Sequence, residues 1–276
     1  MKALVLEKKL ELNLRDIDLP NKVGSNDVKI NMHTVGICGS DIHYYKHGKI
    51  GQWHVNAPMV LGHEGSGTII EVGTNVKDLK VGDRVCVEPQ IVSKSTKEYK
   101  LGIYNYDQKV KFWATPPIHG CLTPEVVFPS DMVFKIPDNL SYAEGAMVEP
   151  LAVGMQGVTK AKIKPGQIGL VMGCGPIGLV TALAALAGGC AKVYIADILS
   201  EKLKMCDYYP DLIPIDISKE NLETKIMDET NGWGVDRFFE CSGAVKPYEA
   251  IFTCCSPGAH VVLIGNNAEP VPMNWA

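Results

Sequence analysis

The run Val35 to His43, VGICGSDIH, places a thiol at Cys38, a hydroxyl at Ser40, a carboxylate at Asp41 and an imidazole at His43 within six residues. Groups of these types bind metals and move protons. Twenty-five residues beyond Cys38 stands a glycine-flanked pair, His63-Glu64, and far downstream Glu149 sits in VEPLAVG. One Cys, one His and a carboxylate with a fourth position open form the donor set of a catalytic zinc site, because structural zinc sites fill all four places with Cys or His. Taken singly, Cys38 reads as a buried structural thiol and His63 as a satisfied histidine beside a turn. Their joint occurrence with Glu64 and Glu149 favours metal chemistry.

A second stretch lies in the other half of the chain. The apolar run Ile168–Met172 enters Gly173-Cys174-Gly175-Pro176-Ile177-Gly178 and then the helical LVTALAALA, and nineteen residues past Gly178 the strand-like KVYIAD ends on Asp197. Strand, glycine turn, helix, strand and acidic residue at this spacing form a dinucleotide-binding unit. The glycines let backbone approach a pyrophosphate, the helix N-terminus supplies positive potential, and Asp197 can accept from a ribose diol. A carboxylate there repels a 2′-phosphate, so NAD is expected over NADP. Cys174 and Cys190 have no paired histidine and read as structural. His54 and His119 read as loop residues.

These groups need two kinds of scaffold. Residues 1–150 carry short β-type runs bounded by turn formers: KALVLE, DVKINMHTVG, GSGTIIEVG, DRVCVEP, PEVVFP and MVFKIP. Such runs predict a compact, barrel-like β domain. Residues 151–276 change period: IGLVM, KVYIAD, LIPID, VDRFFECSG and HVVLIG alternate with helical segments, one from Ser218 and one ending near Cys255. That pattern predicts five strands of a doubly wound parallel sheet. With 276 residues, 46% hydrophobic and 21% charged, the composition agrees with about two globular domains. A net charge of −4 with mixed signs gives no concentrated basic face, which excludes nucleic acid as a partner. The N-terminal MKALVLEKKLEL has no cleavable apolar core and no apolar run is long enough for a bilayer, so no membrane partner and a cytoplasmic location are expected. Nine cysteines, odd in number and irregularly spaced, read as small buried hydrophobes.

CGSDIH, GHEGSGTIIEVG, VGDRV, YNYDQKVKFWATPPIHG, KIPDNLSYAEGAMVEPLAVG and GCGPIG, in this order over nearly the whole chain, resemble the zinc-dependent medium-chain alcohol dehydrogenases and, within them, the sorbitol and xylitol (polyol) dehydrogenases. The resemblance implies an α/β protein with an N-terminal GroES-like catalytic domain, 1–150, and a Rossmann NAD-binding domain, 151–276. It implies one catalytic zinc on Cys38, His63 and either Glu64 or Glu149, with the other carboxylate beside the metal. Asp41 is then expected to orient His63, and Ser40 and His43 to carry a proton outward. Tyr44, Phe112, Thr115 and Glu149 are expected to meet the substrate. The cofactor contacts implied are Gly173, Gly175, Ile177, Gly178, Asp197, Lys202, Ser242, Ile264 and Gly265.

The wider family holds a second, structural zinc on four cysteines in the segment matching residues 88–111, where this chain has no cysteine. One zinc per chain is therefore expected, and the segment reads as a flexible surface loop. The relatives continue with a sixth strand and C-terminal helices, so a chain ending at Ala276 is expected to lack them and to leave its fifth strand as an unpaired edge. A homo-oligomer is expected where that segment exists. The activity implied is NAD-dependent oxidation of a secondary hydroxyl of a polyol to a ketose; sorbitol, xylitol and arabinitol are not ranked by this chain. Two alternatives stand beside it: a shortened relative that binds NAD and zinc without turnover, and a zinc-free quinone-reductase-like enzyme, which conflicts with Cys38, His63 and Glu149.

Overall fold

Two units divide the computed structural model, Met1–Glu149 and Pro150–Ala276, with residues 1–267 and 270–273 described. Five strands make the main antiparallel sheet of the first unit, in the order Glu125–Pro129, Asp27–Gly36, Glu64–Val72, Arg84–Val87 and Val133–Lys135. Alternation along these strands sends Val28, Ile30, Ile69, Val85, Val87 and Phe128 into one buried cluster. Trp113 closes it, with its ring centroid 4.3 Å from that of Phe128. Each such side chain stabilises the fold by roughly 2 kcal/mol on burial.

A smaller sheet pairs Lys2–Lys8 with Glu11–Asp16 on one side and Met59–Val60 on the other. Glu11–Asp16 is not among the expected runs. The turn before it puts Leu10 at φ 64°, a conformation usually announced by Gly or Asn, and neither is present. Residues 88–111 also differ from expectation, being a structured lobe instead of a flexible loop. Gln90–Ile91 pairs with Lys111–Phe112, Thr96 caps the one-turn helix Lys97–Lys100 by accepting from the Tyr99 amide at 3.3 Å, and the Tyr104 hydroxyl donates to Glu88 at 3.1 Å.

The second unit is a parallel sheet in the order Leu212–Asp216, Lys192–Asp197, Ile168–Met172, Val235–Glu240 and Cys255–Leu263. Consecutive residues face opposite ways, so Leu170, Tyr194 and Phe238 join Ile226 and Ile251 on one face. On the other, Val171, Ile195 and Phe239 join Ala182 and Ala185 of the helix Pro176–Ala187. Both faces are covered, which explains why the runs are continuously apolar. The helix expected from Ser218 starts later, at Leu222, because Asn221 caps it by accepting from the Thr224 amide at 2.9 Å. Cys255–Leu263 lies at the sheet edge, with Val261 and Leu263 exposed.

Candidate metal centre and nucleotide site

Strand register assembles the first site. Gly36 pairs with Glu64 and Val35 with Gly65, so Cys38, just past the end of one strand, meets His63, just before the start of the next. Gly36 makes the room: a Cβ there would lie 2.0 Å from Glu64 Oε2. Gly62 sits at φ 87°, in the left-handed region that favours glycine, and so lets the chain turn into His63. The donor atoms of Cys38, His63 and Glu64 all lie within 4.8 Å of one another. His63 and Glu64 are buried.

Asp41 belongs to the first turn of the helix Gly39–His47. One of its oxygens accepts from the Cys38 amide and the other from the Gly62 amide, each at 3.0 Å. It therefore clamps the two donor segments through their backbones, and the expected hydrogen bond from His63 Nδ1 to its carboxylate is not made. His63 Nδ1 is buried without a hydrogen-bond partner. A ring nitrogen in that state wants a Lewis acid or a donor.

Burial pushes the Cys38 thiol up, while hydrogen bonds from the Ser40 hydroxyl and amide pull it down. Burial also raises Glu64, opposed by His63 and the Cys38 thiol. Glu149, in the first turn of the helix Val148–Ala161, is pushed up to about 7 by burial, with His63 pulling down and Glu64 and Asp41 pushing further up. A thiol and two carboxyls pushed toward their neutral forms by burial, around an imidazole with a partnerless nitrogen, form a cluster that a dication would complete. One sulfur, one nitrogen and carboxylate oxygen suit a zinc-type ion. Among the described residues this is the one such group of three donors.

The remaining candidates spread around this centre. Phe112 sets its ring edge-on to His63, centroids 5.3 Å apart. Tyr44 departs from its expected place at the substrate: it is 3% exposed, packs on Leu6, Met59 and Leu61, and hydrogen-bonds Thr115. Ser40 bonds to Cys38. His43 is half-buried, its pKa lowered by burial and by His47 and Lys46, with the His47 ring 5.6 Å away. His119 is structural, its Nδ1 accepting from the Val60 amide at 3.2 Å, and His54 is exposed in a short strand pair.

The second site is built from the ends of strands. A Cβ on Gly178 would fall 1.7 Å from the Gly173 carbonyl oxygen, so the helix can rest on the glycine turn only without a side chain there. Asp197 accepts from the Cys174 amide at 2.8 Å on one oxygen and from the Leu199 amide at 2.9 Å on the other, with the Lys202 ammonium 3.9 Å away. Ser242, Ile264 and Gly265 are gathered by a residue that sequence reasoning missed, the fully buried Glu240. Its carboxylate accepts from the Ser242 and Gly243 amides at 2.8 and 3.2 Å and from the Ser242 hydroxyl. Its carbonyl receives the Ile264 and Gly265 amides at 2.8 Å each. The signal was available: like Asp197, Glu240 is an acid closing an apolar strand.

Residues 24–138 match the alcohol dehydrogenase GroES-like domain and residues 176–276 the zinc-binding dehydrogenase family. With this donor set and this sheet order, the chain belongs to the zinc-dependent medium-chain alcohol dehydrogenases, enzymes that act on a CH–OH group. It is 52% identical to the D-xylulose reductase of Morganella morganii, over 99% of this chain and 81% of that one. Identity to the D-xylulose reductase of Saccharomyces cerevisiae is 40%, covering 98% and 77%. The crystal structure of 2R,3R-butanediol dehydrogenase from Bacillus subtilis superposes with a TM-score of 0.87 at 32% identity, over 99% of this chain and 79% of that one. Among the described residues no helix is long and apolar enough to cross a membrane.

Proposed function

We propose that this protein oxidises a secondary hydroxyl of a pentitol or hexitol to the ketose, and runs the reverse reduction, with NAD and one zinc per chain. The observation that carries the reading is the convergence of Cys38, His63 and Glu64 donor atoms within 4.8 Å, with the partly buried Glu149 coupled to His63 and Glu64. The similarity to two D-xylulose reductases supports the substrate class. Cys38, His63 and Glu64 hold the metal in this reading, because their atoms already converge, and Glu149 is the second carboxylate of the site. Zinc supplies the charge that lets a hydroxyl ionise near neutrality, and a nicotinamide supplies the hydride acceptor.

The chain's own residues do the rest. Asp41 fixes the spacing of the donors. Phe112 shields the His63 ring and narrows the space beside it. His43, on the helix that begins at Cys38, accepts the proton leaving the hydroxyl and passes it to water. Asp197 and Lys202 hold the adenosine ribose, while Glu240 shapes the loop that carries Ser242 and Gly243. The reading is tested by elemental analysis and by NADH formation from xylitol, sorbitol and ethanol. It requires one zinc per chain and turnover of at least one polyol well above ethanol. A zinc-loaded, NAD-binding protein that oxidises neither polyol would refute it.

A further inference from the structure

A cavity of about 460 Å³ opens in the second unit, far from the glycine turn. Gln167, in its wall, immediately precedes the strand Ile168–Met172, whereas Gly173 immediately follows it. The cavity therefore lies at the amino ends of the parallel strands, and the nucleotide crevice at their carboxyl ends. Nothing in the dehydrogenase reaction uses it.

Its wall is cationic. Lys162, Lys164 and Arg237 face a single carboxylate, Asp236, which is already accepting from the Ile168 amide at 2.9 Å. Arg237 is only 4% exposed. Its Nη1 donates to the Asp236 carbonyl at 2.6 Å and its Nη2 to the Lys162 carbonyl at 3.1 Å, but its Nε is buried with no partner. A buried guanidinium with an unanswered N–H is costly, and because that atom is shut off from solvent it is the group's charge, not this N–H, that the cavity meets. Lys162 is held at φ 52°, the conformation that presents its carbonyl to Arg237. Among the described residues the ion pairs of this unit fall on Lys192, Lys202, Lys204, Lys219 and Lys225, none of which lines the cavity. The buried Ser256 adds a hydroxyl to the same wall.

We propose that this cavity binds the dianionic phosphate group of a small phosphate monoester. Three cations against one carboxylate leave an excess of two positive charges, which matches a phosphate dianion and exceeds what one carboxylate ligand would neutralise. Arginine N–H groups and lysine ammoniums are the donors that recognise phosphate oxygens. A volume of about 460 Å³ is larger than the ion alone needs and leaves room for an organic portion of metabolite size.

The test is titration calorimetry on the zinc-loaded protein saturated with NAD, which keeps phosphate out of the nucleotide crevice. Ribose 5-phosphate, inorganic phosphate and ribose are the titrants. Ribose 5-phosphate should bind at least tenfold tighter than inorganic phosphate, and ribose should give no heat above dilution. Lys164→Glu and Lys162→Gly, both at exposed positions and the second compatible with a positive φ, should weaken the ester at least tenfold without changing the melting temperature or polyol turnover. Equal affinities for ester and free phosphate would assign the site to the ion and overturn the ester. Binding of ribose as tight as its phosphate, no binding of either phosphate, or unaltered affinity in both variants would overturn the site.

Discussion

The two units treat buried negative charge in opposite ways. In the second, Asp197 and Glu240 each have backbone amides aimed at their oxygens, so the crevice is built before any nucleotide arrives. In the first, of the three acids gathered around His63, Asp41 is answered in that manner, whereas no backbone amide among the described residues donates to Glu64 or Glu149. Cys38, Glu64 and Glu149 are all pushed toward their neutral forms by burial, and His63 Nδ1 has no partner. One site is completed by its own backbone, and the other, in the function proposed above, by a cation. The lesson is that a preorganised ligand site and a metal site can be told apart by where their buried acids find donors.

The largest effect that would break this comparison is loss of a metal donor. Cys38→Ala should empty the metal site and lower turnover by more than about 100-fold, since even residues behind metal ligands typically cost 10–100-fold. NADH affinity, read by fluorescence, should stay at the wild-type value. Full zinc occupancy in this variant would show that the first unit does not depend on its cation in the way described.

His43→Ala comes next. Loss of a proton acceptor typically costs about 10²-fold or more in turnover. Zinc content and NAD affinity should both be kept, because His43 contributes to neither site. Wild-type turnover in a zinc-replete preparation would remove His43 from the proton path.

Asp197→Ser probes the second unit. The Cys174 and Leu199 amides lose a charged acceptor and the ribose loses its partner. Hydrogen bonds to charged groups are worth roughly 1.5–3 kcal/mol, so NAD should weaken by about 10–100-fold. NADP should change less, which narrows the preference while zinc stays bound. A wild-type protein that binds both cofactors equally would displace Asp197 from its assigned role.

The smallest effect concerns His119, whose pKa is lowered from 6.5 by burial. The folded state prefers the neutral ring, so between the lowered value and 6.5 the unfolded chain binds more protons. Stability is complete above that window and falls as pH drops through it, by less than about 1.4 kcal/mol per pH unit. His119→Gln, which can still accept from the Val60 amide, should flatten the acid side of a plot of melting temperature against pH. An unchanged slope would mean that other groups carry the acid limb.

What the sequence made legible was local. Gly173 to Gly178 and Asp197 announce their crevice because strand, turn and helix follow one another in the chain, and the apolar runs of the parallel sheet are continuous because both faces are covered. The candidate metal donors were legible as a set, yet the third member proposed here was not. Choosing between Glu64 and Glu149 for proximity to Cys38 depends on the pairing of Gly36 with Glu64 across the sheet, which no local pattern states. Tyr44 looked available because it follows His43, but the helix Gly39–His47 turns it inward onto Leu6 and Met59. Asp41 was expected at the His63 ring, but it accepts from the Cys38 and Gly62 amides, the second a long-range contact that its position next to Ser40 does not announce, and His63 Nδ1 is left without a partner. The lobe at 88–111 folds through pairings between its ends, and Leu10 makes a turn without a turn residue.

Gly36 carries a consequence for how this protein tolerates change over generations. Alanine is ordinarily the mildest of replacements, yet at this position its single methyl would occupy the place of the Glu64 carboxyl. Glu64 would have to swing its carboxylate oxygen aside, so in the reading that makes Glu64 a metal ligand a variant with every donor residue intact would still have its donor geometry disturbed. The requirement of the site thus includes an empty volume two residues before Cys38, which a comparison of donor residues alone does not show.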